Sequence, residues 1–151
     1  SIEDVDLELL YREGFRSLFL DVDNTLMTYE QRTVSLERDR WVSFAKSIGF
    51  DVFLVSNNSS HRRIERVAKQ LGVRGIYFAM KPLTYGVREL VKDYKIDLKT
   101  SVFIGDKILT DVVIGNWLRA HTILVEPMNK RLSLLRTIQR DLELLIINSL
   151  K

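Results

Sequence analysis

Apolar residues in this chain gather in short runs separated by longer amphipathic stretches. Residues 17–22 (SLFLDV), 51–55 (DVFLV), 75–79 (GIYFA), 101–105 (SVFIG) and 121–125 (HTILV) are such runs. Their shortness and their Val, Ile and Phe content read as strands buried on both faces. Between them the apolar spacing becomes helical. Residues 35–48 carry Leu36, Trp41, Phe44, Ala45 and Ile48, and Gly49 then suits a helix C-terminus. Residues 60–71 place Ile64, Val67, Ala68 and Leu71 on one face and stop at Gly72. Pro82 can open a helix that runs to about Tyr94 through Val87, Leu90 and Val91. Two further helices are expected over 109–118 and 130–150.

Strands that alternate with helices of this length indicate βαβ units. Right-handed crossovers then make a five-stranded parallel sheet, doubly wound, with helices on both faces. The 151 residues suit one domain, and no repeat, linker or low-complexity tract divides them. Apolar residues at 46% and charged residues at 28% are globular composition, which argues against disorder. The absence of cysteine excludes disulfides, thiolate metal sites and a cysteine nucleophile. It fits a reducing compartment, and a cytoplasmic location is expected. Only two histidines are present, so a histidine-rich metal site is excluded as well. No run of 18 apolar residues spans a membrane and no signal-peptide pattern opens the chain.

Charge changes this picture at one end. Residues 1–128 hold 18 Lys/Arg and 18 Asp/Glu, so the net +3 lies in the last 23 residues. There Lys130, Arg131, Arg136, Arg140 and Lys151 face only Asp141 and Glu143. The same segment carries the apolar stripe Leu132, Leu135, Ile138, Leu142, Leu145 and Ile146. A helix of this kind covers one face of the sheet, forms a dimer interface, or meets anionic lipid at the edge of a membrane.

Parallel sheets bind ligands at the carboxyl ends of their strands. The first strand here ends in Asp21-Val22-Asp23-Asn24-Thr25 and the second in Ser56-Asn57-Asn58. Lys81-Pro82 follows the third, and Gly105-Asp106 ends the fourth with Asp111 five residues on. Taken singly, each has an ordinary use as a cap, a turn or a solvated surface residue. Acid, hydroxyl, lysine and acid recurring in order at successive strand ends is not explained that way.

On DVDNT at 21–25, Ser56, Lys81 and GDKILTD at 105–111, the chain resembles the haloacid dehalogenase (HAD) superfamily of phosphohydrolases. VSNNS, MKP, GDxxxTD and HTILV are most similar to its small YqeG-type branch in subfamily IIIA, which includes phosphatidylglycerophosphate phosphatases. The chain departs from that branch at Lys107, Asn116-Trp117 and Arg119. The resemblance implies Asp21 as the nucleophile that becomes an aspartyl-phosphate and Asp23 as the acid/base. Ser56 would donate to a phosphoryl oxygen, and Lys81 would neutralise phosphate charge. Mg²⁺ would be held by Asp21, the backbone carbonyl of Asp23 and Asp106, with Asp111 supporting. The amides of residues 22–25 and of Asn57 would cradle the phosphate, with Thr25 orienting the loop.

Only residues 26–55 separate the first two of these motifs and residues 57–80 the second and third, which leaves no room for a cap domain. An open site suits a bulky substrate. The expected activity is Mg²⁺-dependent hydrolysis of a phosphomonoester, with a lipid phosphate such as phosphatidylglycerophosphate as substrate. A soluble or macromolecular phosphate is the alternative, and a non-catalytic binding module of the same fold the rival. No nucleic-acid partner is expected; an oligomer that supplies a lid remains compatible.

Overall fold

Five strands form where the five apolar runs lie: β1 (Ser17–Asp21), β2 (Asp51–Ser56), β3 (Arg74–Tyr77), β4 (Ser101–Gly105) and β5 (His121–Leu124). The computed structural model describes residues 1–56, 61–77, 89, 91–106 and 120–128. All strand pairs are parallel and the sheet order is β3-β2-β1-β4-β5. The expected five-stranded parallel sheet is therefore present. Its boundaries shift slightly: Val22 leaves β1 for a loop, β5 stops at Leu124, and β3 begins at Arg74.

The strand period of two divides the core. Leu18, Leu20, Val52, Leu54, Val102 and Ile104 belong to the larger apolar cluster, together with the buried residues of the N-terminal helices. Phe19, Phe53 and Phe103 belong to a second cluster with Ala120, against which Val91, Ile96 and Leu98 pack. The ring of Phe19 stacks at 5.3 Å on Phe53 and at 4.4 Å on Phe103, so one aromatic row ties three adjacent strands together. Both faces are thus covered, and every residue of β1 and β4 is buried.

Helix α1 (Leu7–Arg12) lies ahead of the sheet and was not expected from the sequence. It is only six residues long, too short for a period to emerge. The Asp6 side chain caps it by accepting from the Leu9 amide at 2.9 Å, and Leu7 and Leu10 are buried. Helix α2 (Leu36–Ile48) begins at its Ser35 cap and ends at Gly49, whose φ is 116°. The expected apolar face of α2 needs correcting. Trp41, Val42 and Ala45 are buried, whereas Leu36 and Phe44 are 66% and 47% exposed. Helix α3 (His61–Leu71) buries Ile64, Val67, Ala68 and Leu71 as expected and stops at Gly72 with φ 60°. It lies close on β3, where a Cβ at Gly75 would come within 2.8 Å of Ile64 Cγ2. Glu89 and residues 91–93 are helical, but most of the helix expected from Pro82 lies outside the described residues, as do those over 109–118 and 130–150.

Candidate active site

Strand order reverses at β1: β2 and β3 build outward on one side, β4 and β5 on the other. A reversal of this kind opens a crevice at the carboxyl ends of the two strands that diverge. Asp21 is the last residue of β1. The β1–β2 register sets Asp21 opposite Val55, so Ser56, the last residue of β2, stands one position beyond it. On the other side Leu20 pairs with Ile104, so Gly105 and Asp106 emerge beside Asp21 as well. Asp21, Ser56 and Asp106 are all buried. The structure therefore brings three of the expected site residues to one end of three adjacent strands. Asn57, Lys81 and Asp111, with Lys107, Trp117 and Arg119, lie outside the described residues.

Asp23, Asn24 and Thr25 stand on the loop after β1, and all three are buried. The chain turns back tightly there: the amides of Leu26 and Met27 both donate to Val22 O, at 3.0 and 3.1 Å, and Asn24 N donates to Met27 O at 2.8 Å. Asn24 adopts the left-handed conformation, φ 66°, which asparagine tolerates better than most residues. Val22, Leu26 and Met27 are fully buried, which anchors the loop in the core. The Asn24 carbonyl in turn accepts from Met128 N at 3.0 Å, so the segment after β5 closes on this loop. The side-chain amide of Asn24 and the hydroxyl of Thr25 have no hydrogen-bond partner among the described residues.

One participant was missed in the sequence. Arg63, in the first turn of α3, forms an ion pair with Asp23: Nε donates to Oδ1 at 3.2 Å and Nη2 lies 3.2 Å from the same oxygen. Both side chains are sheltered, at 15% and 4% exposure, so water screens the pair poorly.

Buried carboxylates are costly unless their charge is offset. Arg63 serves Asp23. Asp21 ends β1 and Asp106 directly follows the adjacent β4; both carry hard oxygens of the type that Mg²⁺ takes, usually with several waters retained. No group of three or more His, Cys, Asp or Glu side chains that could hold a metal occurs among the described residues. From the described residues, a cation here would take Asp21 and Asp106 and add main-chain carbonyl and water oxygens. The residues present fit Mg²⁺ on that basis.

The family model of haloacid dehalogenase-like hydrolases matches residues 4–116. Among curated proteins, the chain is 32% identical to "Probable phosphatase YqeG" of Bacillus subtilis over 144 residues, 95% of this chain and 83% of that one. It is 25% identical to the chloroplastic and mitochondrial phosphatidylglycerophosphate phosphatase 1 of Arabidopsis thaliana over 139 residues, 83% of this chain and 38% of that one. Among solved structures, a HAD family enzyme of Bacteroides thetaiotaomicron, in complex with magnesium and inorganic phosphate, superposes with a TM-score of 0.61. That match covers 77% of this chain and 96% of the other at 11% identity, and it speaks to the fold.

Proposed function

The chain belongs to the haloacid dehalogenase-like hydrolase family and is a phosphatase of that family, and from this premise we propose that it hydrolyses a phosphomonoester through a phosphorylated Asp21 with Mg²⁺. The observation that carries the reading is the buried set Asp21, Asp23, Thr25, Ser56 and Asp106 at the carboxyl ends of β1, β2 and β4. A bound Mg²⁺ would offset the repulsion between an anionic nucleophile and a phosphate dianion. Asp21 and Asp106, with the Asp23 carbonyl, would hold it. The Asp21 carboxylate attacks phosphorus. Asp23 gives its proton to the departing alkoxide, then takes one from the water that hydrolyses the intermediate. The Ser56 hydroxyl donates to a phosphoryl oxygen, and main-chain amides of the loop after Asp21 and of Asn57 offer further donors; the Asn24 amide, expected among them, is instead taken by Met27 O at 2.8 Å. The buried Thr25 hydroxyl, which has no partner among the described residues, is assigned to the substrate phosphate. Lys81 holds phosphate charge and Asp111 supports the metal, both assigned from the sequence motifs.

The substrate we infer is a lipid phosphate of the phosphatidylglycerophosphate type. One curated relative carries that activity in its name. The interval from Leu26 to Val55 contains a single helix and a single strand, α2 and β2, so no cap intervenes there. The basic, apolar segment 130–150 offers a peripheral contact with an anionic membrane. The test is a side-by-side assay on phosphatidylglycerophosphate in mixed micelles and on a panel of soluble phosphomonoesters, each with Mg²⁺ and with chelator. Faster Mg²⁺-dependent release from the lipid supports the proposal. Preference for a soluble ester retains the chemistry and replaces the substrate, and no release from any ester refutes both.

A further inference from the structure

Arg63 holds more than Asp23. Its Nη2 donates to the Thr28 carbonyl at 2.6 Å, and its Nη1 donates to the carbonyls of Gln31 at 2.8 Å and Tyr29 at 3.3 Å. One guanidinium thus joins the carboxylate of Asp23 to three main-chain oxygens of the segment that follows the site loop. The planar fork of arginine stays charged and aims its donors in fixed directions, which one lysine ammonium cannot reproduce. Helix α3 sets this up: Ile64 and Val67 are buried, and Arg63 borders them at the margin of the packed face.

We propose that Arg63 is the positioning residue for proton transfer by Asp23. With Oδ1 held by the guanidinium, the carboxyl group is fixed in rotation and the exchanged proton resides on Oδ2. The same contacts fasten residues 28–31 to α3, so acid/base and adjoining segment keep one arrangement. The proposal rests on the acid/base reading of Asp23 given above. In the first half-reaction the bond from Asp21 oxygen to phosphorus forms, the phosphorus–alkoxide bond breaks, and the Oδ2 proton passes to the alkoxide. In the second, water oxygen bonds to phosphorus, the Asp21–phosphorus bond breaks, and a water proton returns to Oδ2.

A misplaced acid penalises a poor leaving group far more than a good one. The deciding experiment measures kcat/KM, which reports the step that expels the alcohol, for glycerol phosphate and for p-nitrophenyl phosphate. Wild type, Arg63→Ala, Arg63→Gln, Arg63→Lys and Asp23→Asn are compared, each checked for folding by circular dichroism. Arg63→Ala and Arg63→Gln should lose about 10²-fold on the alkyl ester and under ~10-fold on the aryl ester. Added guanidinium ion should recover part of the alkyl loss in Arg63→Ala, and Arg63→Lys should not restore it. Equal losses on both esters, or none, in a folded Arg63 variant would overturn the proposal. If Asp23→Asn itself shows no leaving-group dependence, the acid/base reading fails first. If Asp23→Asn shows it and the Arg63 variants do not, only the role of Arg63 falls.

Discussion

Asn24 turns the loop that carries the site, and its φ of 66° is the reason a branched side chain does not belong there. Asn24→Val should destabilise the fold by roughly 1–2 kcal/mol, the cost of a left-handed residue. Asn24→Gly should melt at or above wild type, since it keeps the backbone and removes a buried amide with no partner among the described residues; paired thermal melts check both. The roles proposed for the carboxylates predict separable effects. Asp21→Asn should abolish turnover, because an amide does not attack phosphorus. Asp23→Asn should cut turnover at least ~10²-fold and leave phosphate on Asp21, visible as added intact mass. Asp106→Ala should raise the Mg²⁺ requirement in a metal titration, and full activity of metal-free protein in EDTA would refute the metal role. The placement of Asp21, Asp23, Ser56 and Asp106 at or just past strand ends was readable in the sequence because a strand end is marked by its apolar run. Arg63 was not. It is one of three consecutive basic residues, His61-Arg62-Arg63, and only the phase of α3 selects it. Three of the groups it binds are main-chain carbonyls, which no side-chain pattern advertises.

Elements were readable where they were long or uniformly apolar, and misread where two phases compete. The apolar residues of α2 lie on more than one side of the helix. Nine residues apart, Leu36 and Ala45 stand about 180° from one another at 3.6 residues per turn, so both cannot face the core. Val42, one turn before the C-terminal part of the buried face, replaces Phe44 in it. The end of α2 was correctly marked by Gly49, and the structure supplies two reasons. Its φ of 116° disfavours any side chain, and an added Cβ would lie 2.9 Å from the Tyr11 hydroxyl. Tyr11 has little room to move, with its ring edge-on to Phe50 at 5.3 Å and Arg16 over its face at 4.0 Å. Gly49→Ala should therefore cost at least ~1 kcal/mol by urea denaturation while kcat stays at the wild-type value.

Across the protein, charge is balanced through residue 128 and positive beyond it. If segment 130–150 meets lipid, reversing Arg131, Arg136 and Arg140 together should weaken binding to anionic vesicles by ~1 kcal/mol per residue. Hydrolysis of a small soluble phosphate should not change. Vesicle co-sedimentation at low and moderate salt reads the first, and no wild-type binding at either salt removes the membrane contact from the proposal. No helix among the described residues is long and apolar enough to cross a membrane. The strand order has a consequence for biosynthesis. β1, the central strand, emerges from the ribosome first, and β2 can pair with one edge soon afterwards. Its other edge waits for β4, and 80 residues separate Asp21 from Ser101. At ~5–20 residues per second that is roughly 4–16 s during which a strand with the apolar centre Leu18-Phe19-Leu20 presents unpaired amides and carbonyls to the cell. Asp106 arrives after the same delay, so a nascent chain carries Asp21, the proposed nucleophile, well before Asp106, the carboxylate proposed to share a cation with it.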